Sequence, residues 1–349
     1  MSHTTALPSL REFAFGLPKA ELHLHLEGTL EPELKFALAA RNGVELAEKT
    51  VSEVTATYDF TDLTSFLAVY YPAMRVLQTA EDFHDLAWAY LQRAKEHGVV
   101  HVEMFFDPQA HTSRAVPFDT VVSGYRRAAV RAQRELGVSA ELILCFLRDF
   151  SAEYAMATLM EALPYKAWIV GVGLDSDERD NPPAKFAEVF ARAKAEGFLT
   201  TMHCDIDQAG SLENIRAVIE EIGVDRIDHG TNIVEDPELV ELARQRGLGF
   251  TCCPVSNSFV TEQMKADEIV GLLRRGVKVT VNSDDPAYFG AYVADNYIVL
   301  AEKAGLSHAD LAQLAINSFD ASWMTPARRT AHVDAVRRYA AEHGVTLPS

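Results

Sequence analysis

The chain lacks a membrane span: nowhere in its 349 residues is there a run approaching the roughly 20 consecutive apolar residues that crossing a bilayer requires. The N-terminal stretch MSHTTALPSLREF also lacks an apolar core of signal-peptide length. Cysteine is scarce, with only Cys145, Cys204, Cys252 and Cys253 and no C-x-x-C spacing. A vicinal pair and two scattered thiols do not make a disulfide framework and suit a reducing, cytoplasmic setting, where they serve as small core fillers. Positive charge is short as well: 32 Lys and Arg stand against 50 Asp and Glu, a net charge of −18. Such a surface repels phosphate backbones and shows no local basic patch, so neither nucleic acid nor a membrane is expected as a partner. Repeats, low-complexity tracts and linkers are absent too, and a homo-oligomer is left open.

What the chain does have is alternation. Short apolar, β-branched runs recur at AELHLHLEG (20–28), VVHVEMFFDP (99–108), AELILCFLRD (140–149), WIVGVGLDS (168–176), FLTTMHCD (198–205), DRIDHG (225–230), LGFTCCPVSN (248–257) and VKVTVNSDDP (277–286). Amphipathic helical patterns such as 183–197 and 237–247 separate the later ones, and glycines at 98, 197, 247 and 276 mark helix ends. Eight strands with intervening helices predict an α/β fold, a distorted (β/α)8 barrel spanning residues 1–349 as one domain. An open doubly wound sheet is the rival, but it usually carries a glycine-rich phosphate turn after its first strand, and none is present. Residues 30–97 are too many for one crossover and supply extra helices, including 62–77, that cap the barrel mouth; 307–345 read as terminal helices.

Reactive side chains gather at the C-terminal ends of these runs: His23, His25 and Glu27; Glu103 and Asp107; Asp175 and Ser176; His203, Asp205 and Asp207; His229; Ser256 and Asn257; Asp284 and Asp285. In a barrel those ends meet at one mouth, where catalytic groups sit. His23 and His25 are two apart on an extended run, so both imidazoles face one side. Alone that pair is weak evidence of a metal. Joined by His203, His229 and Asp284 from three further ends, it points to an imidazole and carboxylate site without thiolate, as in an open catalytic zinc centre.

The segments PKAELHLHLEGTLEPE (18–33), GVGLDSDE (171–178), RIDHG (226–230), CPVSN (253–257) and VNSDDPAYFG (281–290) together resemble the adenosine/adenine deaminase branch of the amidohydrolase superfamily. The resemblance implies one zinc per chain, held by His23, His25, His203 and Asp284, with a water completing the set. It implies that His229 orients that water and stabilises developing charge, that Asp285 hydrogen-bonds N7 of a purine, and that Ser176 lies near N3, with Asp175 beside it in the substrate-binding set. Attack of water at C6 needs an acidified water, which zinc can supply, and an acid that protonates N1 before ammonia leaves. A separate deaminase class that uses P-C-x-x-C is excluded by the absence of that motif.

The sequence departs from the family at that acid. Where relatives read H-A-G-E, this chain reads His203-Cys204-Asp205-Ile206-Asp207, and Ile206 cannot carry a proton. Asp207 is the first choice to replace the glutamate and Asp205 the second; the alternative for either is a helix cap or loop hydrogen bond. Glu27 stands where nucleoside-specific relatives tend to have the shorter Asp, so it is expected to intrude on sugar space and favour a free base. Leu63 and Phe66 are expected to close over the ligand and exclude water. The reading is therefore zinc-dependent conversion of adenine to hypoxanthine and ammonia, a purine salvage step. Adenosine or an N6-substituted adenine is the alternative substrate. A two-metal amidohydrolase or a purine-binding protein without turnover are alternatives of other classes.

Overall fold

A computed structural model describes residues 7–204, 208–261 and 263–347. Asp205 and Asp207, the two candidate proton carriers, lie outside the described residues. Eight strands run in chain order around the sheet: β1 (Lys19–Glu21), β2 (Val99–Phe106), β3 (Ser139–Leu147), β4 (Ile169–Asp175), β5 (Leu199–Cys204), β6 (Arg226–His229), β7 (Gly249–Cys252) and β8 (Lys278–Val281). Every neighbouring pair is parallel. Strands covered on both faces need apolar side chains in near-continuous runs. Val102, Met104, Phe105 and Phe106 of β2 and Leu142, Ile143, Leu144 and Phe146 of β3 are accordingly buried.

The seam between β8 and β1 is joined by side chains. Leu22 N donates to Asn282 Oδ1 at 2.8 Å, and Ala20 N donates to Ser318 Oγ at 2.9 Å. Ser318 belongs to the terminal helix His308–Asp320, whose Asn317 also donates to Val279 O of β8 at 3.0 Å, so this helix spans the gap. Past the ends of both strands the backbones meet directly: Asp284 N donates to His23 O at 3.1 Å and His25 N to Asp284 O at 3.0 Å. On the other side Phe105 N donates to Leu24 O at 2.8 Å and Leu26 N to Phe105 O at 2.9 Å. The His23–His25 stretch is thus clamped from two sides, and the barrel closes tightest at its mouth.

Three strands end well before the sequence runs imply, with β8 stopping at Val281. β1 stops at Glu21, and Glu27–Thr29 form a 3-10 turn. β7 stops at Cys252 because Pro254 opens the helix Pro254–Val260. Three mouth segments share this device: Asp107-Pro108, Cys253-Pro254 and Asp285-Pro286 each put proline at the first helical position. Proline suits that position, where its missing N–H is not needed, and it forces the preceding residue out of helical conformation.

The long segment after β1 builds four helices, Pro32–Asn42, Val51–Thr55, Leu63–Ala73 and Ala80–Glu96. Leu63–Ala73 starts at an Asp62/Ser65 capping box, in which the Asp62 side chain accepts from Ser65 N. It lays Phe66 and Tyr70 into an aromatic group with Phe60, Tyr288 and Phe289 over the mouth. The four marker glycines, Gly98, Gly197, Gly247 and Gly276, all take positive φ between 68° and 84°. Among the described residues no helix is long and apolar enough to cross a membrane.

Candidate active site

Three imidazoles turn their Nε2 atoms towards one point. His203 Nε2 lies 3.1 Å from His23 Nε2 and 3.1 Å from His25 Nε2. Asp284 Oδ1 lies 3.2 Å from His23 Nε2 and 3.4 Å from His25 Nε2. Two ligands on one tetrahedral zinc stand about 3.3 Å apart, given bond lengths of about 2.0–2.1 Å, and these spacings match.

The other ring nitrogens explain why a cation fits. His203 Nδ1 donates to Leu174 O at 3.1 Å and His23 Nδ1 faces Thr251 O at 3.2 Å and Thr251 Oγ1 at 2.9 Å. A carbonyl oxygen only accepts, so both Nδ1 atoms carry the proton and both Nε2 atoms present lone pairs. His25 Nδ1 points to the Asp175 carboxylate at 3.4 Å, which leaves its Nε2 facing the same point. Lone pairs held this close repel unless a positive charge lies between them. These residues therefore fit a divalent metal bound by imidazole and carboxylate.

The surroundings favour positive charge as well. Burial works against a charged His25, but the carboxylates of Asp285, Asp175 and Asp284 outweigh it and raise its pKa well above the usual value. Burial likewise works against an ionised Asp284, yet His23, His229 and His25 hold its carboxyl well below the usual range. His203 goes the other way: burial, then the neighbouring imidazoles, keep it neutral.

His229 occupies a looser place. Its Nε2 is 3.7 Å from Asp284 Oδ2, the oxygen that also accepts from Ser256 Oγ at 2.7 Å. His23, His203, His229 and Asp284 each bring a donor atom within 4.8 Å of the others, so spacing alone would admit His229 as a ligand. The tighter contacts of His25 to both His203 and Asp284 Oδ1 favour His25 in the inner set. Burial, then the charge of His23, lowers His229 to about 4, so it is neutral at pH 7.

A layer beneath holds these imidazoles. Asp228 is buried between β5 and β7, accepting from Thr201 Oγ1 at 2.7 Å and Thr251 Oγ1 at 2.8 Å. It lies 3.5 Å from His203 Nδ1 and 4.0 Å from His23 Nδ1. Arg148, fully buried, donates to His203 O at 2.8 Å and through its backbone to Asp175 O at 3.1 Å, tying the ends of β4 and β5 together. Three residues here hold positive φ without being glycine: Ser176 at 76°, His229 at 59° and Asp284 at 65°. Such backbones cost about 1–3 kcal/mol each and persist where the surroundings over-determine them.

The donors open into a narrow cavity with about 60 Å³ of free volume. Its wall brings together His25, His203, His229, Asp284, Asp285, Asp175 and Ser176, with Leu63 and Phe66 on the lid. Burial, and then the neighbouring Asp284 carboxylate, raise Asp285 well above the usual carboxylate range. Its Oδ1 and the Ser176 hydroxyl have no partner among the described residues.

Glu27 corrects the expectation that it fills sugar space. The structure turns it below the wall, where its Oε1 accepts from His111 Nε2 at 2.8 Å, Tyr125 OH at 2.9 Å and Asp107 N at 3.4 Å. All three donors meet Oε1, Oε2 is buried without a partner among the described residues, and Glu27 does not line the cavity. Glu103 also leaves the mouth: it lies in the barrel interior, paired with Arg226 and accepting from His101 Nε2 and Trp323 N. The residues missed in the sequence are Leu67, Tyr70, Tyr71, Glu178, Val260 and Phe289 on the wall and Asp228 and Arg148 beneath it. The helical spacing of Leu63, Phe66, Leu67 and Tyr70 was the available signal for the lid.

A family profile described as Adenosine deaminase matches residues 18–339. The adenine deaminase of Acinetobacter baylyi is 49% identical over 315 residues, covering 90% of this chain and 94% of the relative. The crystal structure of an adenine deaminase from Arthrobacter aurescens superposes with a TM-score of 0.89 at 43% identity, over 93% of this chain and 99% of that one. An amidohydrolase from Burkhoderia ambifaria, solved with bound Zn, gives a TM-score of 0.87 at 26% identity, over 98% and 97%.

Proposed function

Because this chain belongs to the adenosine deaminase family, we propose that it is a zinc-dependent adenine deaminase releasing hypoxanthine and ammonia. The observation that carries the metal part is the convergence of the His23, His25 and His203 lone pairs with Asp284 Oδ1. One zinc per chain is supported by that single tight donor set and by the zinc named for the Burkhoderia neighbour. The choice of a purine base is supported by the adenine deaminase relatives and by a small, lidded cavity with unpaired polar atoms.

When bound, zinc supplies the acidification that hydrolysis at neutral pH requires, bringing the pKa of water from about 15.7 to roughly 7. The side chains do the rest. Neutral His229 orients the attacking water beside Asp284 and stabilises the charge that forms. Asp285 hydrogen-bonds N7, and the Ser176 hydroxyl meets N3. Asp175 positions His25 through its Nδ1. Asp207, with Asp205 as second choice, protonates N1 and helps the amine leave; this rests on the sequence of the HCDID segment. Leu63 and Phe66 exclude bulk water, which strengthens each polar contact inside. A cytoplasmic location belongs to the same proposal, supported by four buried cysteines with no disulfide among the described residues.

The test is ammonia release by zinc-loaded protein from adenine, adenosine and N6-methyladenine side by side. Fast turnover of adenine with none of adenosine supports the reading. Preference for the nucleoside or for the N6-substituted base would replace it.

A further inference from the structure

Asp107 is a carboxyl of the pocket without an assigned role, and it is built like Asp285. Asp107 follows β2 directly and Asp285 lies four residues past the end of β8, and each precedes a proline that starts a short helix. Their backbones nearly coincide, at φ −110°, ψ 79° for Asp107 and φ −117°, ψ 71° for Asp285. Neither side chain caps the helix that follows, both residues line the cavity, and in both Oδ1 is buried without a partner among the described residues. A buried carboxyl oxygen left this way costs free energy unless a ligand meets it.

We propose that Asp107 Oδ1 accepts the N9–H of the purine and that this contact selects the free base over its N9-substituted forms. The inference rests on the adenine reading above. Order around the mouth supports it. Passing from β8 through β1 and β2 to β4, the chain presents Asp285, then Gly28, then Asp107, then Ser176. The purine edge, read in the same sense, presents N7, C8–H, N9–H and N3. With Asp285 at N7 and Ser176 at N3, Asp107 falls at N9. Glu27 and Gly28 stay off the wall between them, where C8–H offers no strong hydrogen bond.

The layer below keeps Asp107 in place. Its N–H donates to Glu27 Oε1 at 3.4 Å, and Glu27 is itself gripped by His111 and Tyr125. Glu27 therefore acts on specificity from beneath, by fixing the residue that touches the base. A nucleoside carries no N9–H and places a sugar at this position, so its binding leaves Oδ1 unpaired. Sites built around one polar contact reject analogues lacking it far more strongly than sites that discriminate by size.

The experiment compares kcat/KM for adenine, 9-methyladenine and 3-deazaadenine on zinc-loaded wild type, Asp107→Ala and Asp107→Asn, with bound zinc measured on each. Wild type should prefer adenine to 9-methyladenine. Asp107→Ala should lower kcat/KM for adenine by about 10- to 100-fold while leaving 9-methyladenine unchanged or improved, so that the preference collapses. 3-Deazaadenine keeps N9–H, so its penalty and that of Asp107→Ala should multiply. Asp107→Asn keeps an acceptor oxygen and should lie between; it also serves as the test if the alanine variant does not fold. Equal loss on all three substrates with zinc retained, or a wild type indifferent to 9-methylation, would overturn the inference alone. A wild type that releases no ammonia from adenine would overturn the adenine reading, and this inference with it.

Discussion

Ser256 Oγ donates to Asp284 Oδ2 at 2.7 Å, which divides the work of the two carboxylate oxygens: Oδ2 faces Ser256 and His229, and Oδ1 faces His23 and His25. The serine thereby sets which oxygen is offered to a metal. Asp284→Ala should lose metal and activity together. Ser256→Ala should keep the fold and weaken zinc binding by about 10- to 100-fold, the usual cost of removing a group that orients a ligand. Competition against a zinc chelator measures it, and unchanged affinity would remove Ser256 from the site.

Gly28 lies against Asp285. A Cβ there would stand 1.9 Å from Asp285 Oδ1 and 2.8 Å from its Cα, so rotating the aspartate side chain cannot relieve the clash. Gly28→Ala should leave bound zinc unchanged and displace the N7 contact, lowering kcat/KM for adenine by about a hundredfold. Steady-state kinetics together with metal analysis separate this outcome from general unfolding.

Glu103 and Arg226 form a buried ion pair in the barrel interior. Burial alone would raise the Glu103 carboxyl, but Arg226 and His101 outweigh it and hold it at about 2 against an unperturbed 4.5. The unfolded chain thus takes up this proton first as pH falls. The contribution to stability is complete above pH 4.5 and is lost towards about 2. Glu103→Gln, which strands a buried guanidinium, should cost about 3–5 kcal/mol near neutrality. Urea unfolding should show the gap to wild type steady at neutral pH and narrowing below 4.5.

The proton carrier is tested in the HCDID segment. Asp207→Asn should reduce kcat by at least about a hundredfold with zinc retained, and Asp205→Asn should have the smaller effect. The reverse order would exchange their roles. Full activity in both variants would move the role to Glu178, which lines the same cavity.

Local chemistry made much of this site readable. Apolar, β-branched runs can be buried on both faces only as parallel strands, and polar residues collecting at the ends of eight such runs can converge only at a barrel mouth. The convergence of His23, His25, His203, His229 and Asp284 at one mouth was legible for that reason. Glu27 was not, because its direction is set by His111 and Tyr125, 84 and 98 residues away in sequence. Asp228 sits inside RIDHG beside the more conspicuous His229, and only the tertiary fold shows it beneath two imidazoles. The early end of β7 was readable in principle, since Pro254 is a helix-start signal, but the apolar run before it carried the strand reading too far.

The most direct test of the account is reconstitution of chelated protein with zinc while adenine turnover is followed. Activity should be absent without metal and should rise in proportion to added zinc, reaching its plateau at one ion per chain. A plateau at two ions per chain, or adenine turnover undiminished after metal removal, would contradict it.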